Sequence, residues 1–342
     1  MSAIGPVRAP GDATRHGVPG ATVAMVLWVL ASVAAADPPA APLPTANRHP
    51  FVQVLGLPAA RGAAVLGPGE AHLRATLDVA NTSIYAASGA REAADLIIDG
   101  ETSRLELTLR RGLGGGWEST ATVPLLRHDG GVLDRPIEEW HGVFGLPNGG
   151  RDTVPRNTLR YSYRARGEQL QVTEGVTGIG DLQLGLARAL GDGLTLRAQV
   201  NLPTGEADEL TGAGAAGLAA SLHYSSAVTA RGLYAHASAG ALFREDGDLL
   251  PASRETLLGY GSLTLGWTAT PRWHLKAQLD AHSAAWDSPR EALGEPSAQL
   301  VLGASAALTD AWTLDIAFSE DITVERSPDI VFLLGLRWRG GR

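Results

Sequence analysis

The chain has 342 residues, no cysteine, a formal net charge of -8, 44% hydrophobic and 19% charged residues. That length suits one large β-domain or two smaller ones. The acidic balance argues against a nucleic-acid partner, which usually leaves a basic stripe, and the missing cysteine rules out a disulfide framework and a thiolate metal site.

Arg8, Arg15 and His16 give a basic start, and an apolar run follows over residues 21–33. Ala34, Ala35 and Ala36 fit a small-residue cleavage site, so residues 1–36 are predicted to be a signal peptide with Asp37 the first mature residue. The run is shorter than the roughly 20 residues of a spanning helix. No later segment is apolar for the roughly 18 residues that signal one. An exported chain of this kind is either soluble in the periplasm or a barrel. Residues 37–70 are rich in Pro, Ala and Gly without periodicity. They are expected to be a leader segment, tethered rather than folded alone.

From His72 the hydropathy alternates with period two: Leu73, Ala75, Leu77 and Val79 against His72, Arg74, Thr76 and Asp78. Successive strand side chains point to opposite faces, so this is a sheet with one apolar and one polar face. The pattern returns in Leu105, Leu107 and Leu109 against Arg104, Glu106 and Arg110, and in Leu159, Tyr161 and Tyr163 against Arg160 and Arg164. It continues in Leu196, Ala198 and Val200 against Arg197 and Gln199, and in Trp273, Leu275 and Ala277 against His274 and Lys276. About fourteen such segments of roughly ten residues occur, the length a tilted strand needs to cross a bilayer. They predict an antiparallel transmembrane β-barrel of about 12–14 strands over 71–342. Arg104, Glu106, Arg110, Arg160, Arg164, Arg197, Gln199, His274 and Lys276 are expected to line its lumen.

Three features favour lipid over the inward-facing apolar side of a soluble sandwich. With the N-terminus in the periplasm, the turns after even-numbered strands, such as Gly100-Glu101 and Gly191-Asp192-Gly193, are short and the opposite loops long, an outer-membrane asymmetry. Trp267, Trp273, Trp312 and Trp338 all fall at the periplasmic rim, where amphipathic rings settle. The last strand alternates Ile330, Phe332, Leu334, Leu336 and Trp338, close to the C-terminal recognition strand of outer-membrane barrels.

Residues 127–157 break the loop parity: a connection of about thirty residues falls where a short periplasmic turn is expected. Ile137, Trp140, His141 and Phe144 follow helical spacing, which predicts a short helix near 135–144. This segment is expected to cap the periplasmic mouth or plug the lumen, with His128, Asp129, Glu138, Trp140 and His141 as candidate contacts. Glu138 and His141 share a helical face and, with His128 and Asp129, present donors for a divalent metal. Ordinary salt bridges account for them better, and neither metal nor cofactor is predicted. The Gly-rich stretch 112–116 lies between strands with no helix after it, so it is a hairpin loop rather than a phosphate cradle. A lipid hydrolase would need Ser and His within hydrogen-bond reach. His223 and Ser225, and His236 and Ser238, share strand faces, but two-residue spacing leaves about 7 Å between them.

Six stretches resemble an uncharacterised bacterial family, a domain-of-unknown-function group of outer-membrane proteins. They are Val54-Leu55-Gly56-Leu57-Pro58, Asp99-Gly100-Glu101-Thr102, residues 123–131, residues 137–147, Gly178-Ile179-Gly180-Asp181-Leu182 and Leu202-Pro203-Thr204-Gly205. The resemblance implies a barrel in the outer membrane and brings no activity or catalytic residue with it. The expected function is a non-enzymatic pore or transporter for small solutes, or a structural barrel. Its expected partners are outer-membrane lipid and the barrel-insertion machinery. A membrane-embedded lipid-modifying hydrolase and a soluble periplasmic β-protein are the alternatives.

Overall fold

The computed structural model describes residues 40–86, 96–145 and 155–340. The predicted signal peptide lies outside the described residues. Twelve antiparallel strands close into a barrel. In ring order they are β1 (Ala71–Ala86), β2 (Leu96–Gly114), β3 (Trp117–Asp129), β7 (Leu182–Gly191), β8 (Leu194–Leu202), β9 (Gly217–Ser225), β10 (Leu233–Arg244), β11 (Leu257–Thr268), β12 (Trp273–His282), β13 (Ser297–Ala307), β14 (Trp312–Asp321) and β15 (Ile330–Gly340). β1 closes the ring by pairing with β2 on one side and β15 on the other, Ala71 standing opposite both Arg111 and Gly340.

The two ends of the barrel differ. At one, the turn end, the connections are 115–116, 192–193, 226–232, 269–272 and 308–311. Asp192 and Gly193 both have positive φ, 49° and 71°, as a two-residue hairpin that matches strand twist requires. At the loop end lie 130–145, 155–181, 203–216, 245–256, 283–296 and 322–329. Short and long connections are sorted by parity throughout.

The barrel is inside out relative to a soluble protein. Along β12 exposed and buried residues alternate without a break: Trp273, Leu275, Ala277 and Leu279 face outward while His274, Lys276, Gln278 and Asp280 are buried. Leu279 is 39% exposed and Lys276 only 4%. Water would penalise such a leucine face, and a dry interior would penalise the lysine. A hydrocarbon surround and a polar lumen satisfy both, and strand interiors of membrane barrels alternate in this way.

Two expected strands fall away. The turn expected at Gly100-Glu101 is absent: the strands expected on either side of it are one strand, β2, which runs through Gly100. The segment read at 158–166 is β4 (Arg160–Ala165), which stands outside the ring. It pairs with the first residues of β2 and forms a hairpin with β5 (Glu168–Val172), while β6 (Val176–Ile179) pairs antiparallel with the loop end of β3. Counting β2 twice inverted the expected parity of the next connection. The connection that follows β3 leaves from its loop end, so it is no exception to the parity.

Candidate functional site

An eight-stranded barrel is filled by its own side chains, and sixteen or more strands leave a water channel. Twelve strands leave room for something else. Here it is the chain itself. Residues 40–66 enter at the turn end, run up one side of the lumen, turn over at α1 (Pro50–Gln53), and descend to the start of β1. Ala40 bonds through its carbonyl to His236 near the turn end of β10, Leu43 pairs with Gln278 in mid-β12, and Asn47 bonds His282 at the top of that strand. On the way down, the Leu55 and Gly56 carbonyls accept from Asn201 at the top of β8. Gly62 and Ala64 accept from Arg197, and the Leu66 N–H donates to Glu118 near the base of β3. Only a segment inside the ring reaches the inner faces of β3, β8, β10 and β12 at once.

The leader has no sheet partner for its backbone, and buried N–H and C=O groups need partners. The polar lumen wall supplies them. The Gln278 amide accepts from Leu43 N–H at 3.2 Å and donates to Leu43 C=O at 3.1 Å, as a neighbouring strand would. Arg48 carries a charge into the wall: its Nε lies 2.6 Å from Asp78, and Glu106 stands 3.5 Å from its terminal nitrogen while also pairing with Arg104.

At the loop end the lumen turns apolar. Phe51, Val52, Val54 and Leu55 from the turn-over pack with Ile84, Leu96, Ile98, Tyr161, Tyr163 and Trp286. The Trp286 indole donates to the Phe51 carbonyl at 3.0 Å, and its ring lies under the Arg244 guanidinium at 4.4 Å. Burial of each such side chain contributes about 1.5–3 kcal/mol, so the apolar tip anchors the leader more firmly than any single hydrogen bond along its arms, each worth about 1 kcal/mol.

Of the residues expected to line the lumen, Arg104, Glu106, Arg197, His274 and Lys276 are buried on the inner face, and Arg110 and Gln199 are half-buried there. Arg160 and Arg164 are exposed, a correction to the expected lining. β4 lies outside the ring and turns its tyrosines inward, Phe51 meeting Tyr163 and His128 meeting Tyr161.

The candidate plug contacts are also elsewhere. The helix α2 (Asp134–Phe144) forms where helical spacing predicts one, but at the loop end, with Trp140 58% and Val143 78% exposed. Glu138 pairs with Arg156 and Asp129 with Arg127. His128 is fully buried, bonded to Thr102 and to the Leu210 carbonyl. The His141 side chain lies outside the described residues, and among those described no group of three or more His, Asp or Glu is placed to hold a metal. Trp267, Trp273, Trp312 and Trp338 all ring the turn end facing outward, together with Trp117.

Two Ser–His contacts escape a strand-by-strand reading. Ser225 and His236 are register partners on adjacent strands, and Ser225 Oγ donates to Nδ1 at 2.7 Å. Ser221 and His223 lie two apart on one strand, yet the imidazole bends back to 2.8 Å. The leader occupies both. His236 Nε2 donates to Ala40 C=O, Ser225 Oγ accepts from Ala63 N–H, and His223 Nδ1 donates to Arg61 C=O. These pairs hold the leader.

The sequence motifs converge on the loop end. Asp181 accepts N–H bonds from Thr204, Gly205 and Ala213, while the Thr204 hydroxyl donates to Gly180 C=O. Gly180 N–H donates to Pro124 C=O, His128 reaches Thr102, and the carbonyls of Leu55 and Gly56 meet Asn201. A family model described as protein of unknown function (DUF3187) matches residues 18–339. The chain belongs to this family. No curated protein matches it. Among solved structures, the COG4313 outer membrane channel from Pseudomonas putida F1 is similar at 12% identity and TM-score 0.54, over 81% of this chain and 97% of that one. The translocator domain of autotransporter NalP from Neisseria meningitidis aligns at 14% identity and TM-score 0.42, over 80% and 90% of the two chains. The toluene transporter TodX of P. putida aligns at 12% and 0.40, over 81% and 91%. The first likeness shows the fold of this family member, that of an outer-membrane β-barrel.

Proposed function

We propose that this chain is an outer-membrane channel for small solutes, closed at rest by its own residues 40–66. The observation that carries the reading is the hydrogen bonding of the leader to polar side chains around the inner wall. A lumen built only to be structural has its own side chains to fill it; this one is filled by a segment whose end, once the expected signal peptide is cleaved after Ala36, is free to leave. Ordering a backbone costs about 1–2 kcal/mol per residue, which offsets much of what the arm contacts contribute and keeps the leader displaceable. The turn end faces the periplasm in this reading, with the aromatic rim at the inner interface and the leader entering from the side of export. Outer-membrane lipid and the insertion machinery are the partners such a barrel requires.

A disulfide between leader and wall tests it. A Cβ at Gly62 would lie 3.1 Å from Ser225 Oγ, within the reach of a disulfide, and the chain has no other cysteine to interfere. In planar bilayers the G62C/S225C protein is expected to be silent when oxidised and to conduct under applied voltage once reduced. Equal conductance in both states would show that solute passes without the leader moving, and silence in both would leave a structural barrel.

A further inference from the structure

Near the turn end, a cavity of about 40 Å³ lies between leader and wall, lined by Arg61, Arg74, Arg110 and Arg197 with the leader's Ala41, Pro42 and Gly62. It holds space for about three waters. Four guanidinium groups face it, and one carboxylate answers them. Glu118 takes Arg110 through two bonds of 2.9 and 2.7 Å and Arg197 through one of 3.0 Å. Among the described residues, Arg61 donates only to the Thr120 hydroxyl, at 3.2 Å. Arg74 makes no hydrogen bond or ion pair with the described residues, and its Nε is buried without a partner. The other charged groups around Arg74 do not relieve it. Asp315 lies near Arg337 and Lys276 as well, Glu106 is taken by Arg104 and Arg48, and Arg337 adds a further positive charge. Just below, His72 is 6% exposed, with neither ring nitrogen bonded among the described residues.

Cations drawn partly out of water without counter-charge are costly. The planar donor forks of arginine suit tetrahedral oxyanions, which they bind bidentately. We propose that this cavity binds a small inorganic oxyanion of the phosphate or sulfate class, bridging Arg61 of the leader to Arg74, Arg110 and Arg197 of the wall. The site stands whether or not the barrel conducts, because it needs only the seated leader. It lies in the lumen, so the headgroup of a bilayer lipid cannot reach it with its chains attached.

The full mature protein, extracted in a phosphate-free detergent, is heated in inorganic phosphate, sulfate or chloride at matched ionic strength. Ligand binding to the folded state raises the unfolding temperature by mass action. Phosphate and sulfate are expected to raise it by several degrees over chloride. Arg61→Gln and Arg74→Gln should abolish the increment, and Arg135→Gln, on the exposed α2, should keep it. Where a variant changes basal stability, broadening of the ³¹P line of inorganic phosphate by the folded protein reports binding directly, and it too should vanish in both. Identical melting in phosphate and chloride, or an increment or broadening that survives Arg74→Gln, overturns the proposal. So does a response to vesicles of phosphatidylglycerol that free phosphate does not reproduce.

Discussion

Arg48 brings a positive charge into a lumen where Asp78 and Glu106 wait for it, the Arg48 and Asp78 side chains both nearly fully buried. Removing one member of a buried pair strands the other, at about 3–5 kcal/mol. Arg48→Ala is therefore expected to lower stability by that amount in denaturant unfolding from lipid vesicles. Adding Asp78→Asn should restore part of it, because the abandoned carboxylate accounts for much of the cost; a double variant as unstable as the sum of the two singles would contradict this. Gly56 is demanding in another way. Its φ is +71°, and a Cβ there would run into the Asn201 amide. Gly56→Ala is expected to cost about 1–2 kcal/mol for the left-handed backbone and more for the clash. Asn201→Ala in the same chain should recover only the clash, read by the same unfolding measurement.

At the scale of strands, the faces were legible because lipid and lumen impose opposite demands on successive residues. The boundary at Ala71, the outward Trp273 and Trp312 and the inward Lys276 all follow from period two. The same logic predicts that Leu279→Arg, on the outward face of β12 six residues from the rim residue Trp273, costs about 2–4 kcal/mol. A cost near zero in the same unfolding assay would place that face in water. Period two says nothing of which strands pair, or of where a strand passes the rim. Gly100 resembles a turn residue in sequence, yet β2 continues through it and pairs with β1 and β3 on either side. Arg160 and Arg164 alternate with tyrosines as a lumen strand would, but β4 rises above the ring and its tyrosine face is the covered one. The helix at 134–144 was readable from its spacing; its end of the barrel was not, since it depended on counting β2 once.

Over the whole molecule, the feature that decides how the barrel works was the least legible. Residues 40–66 have no periodicity because their backbone is satisfied by side chains of the wall, and such bonds leave no repeat in the sequence. One signal was present: an apolar knot at Phe51, Val52, Val54 and Leu55 in an otherwise Pro-, Ala- and Gly-rich stretch. The most direct test is amide hydrogen exchange on the folded protein in lipid nanodiscs. With the leader seated, the amides of Leu43, Ala63 and Leu66, which donate to wall side chains, exchange orders of magnitude more slowly than those of an unfolded chain and more slowly than the exposed α2. Exchange across 43–66 as fast as in the unfolded chain, with protection found in 134–145 instead, would contradict the account.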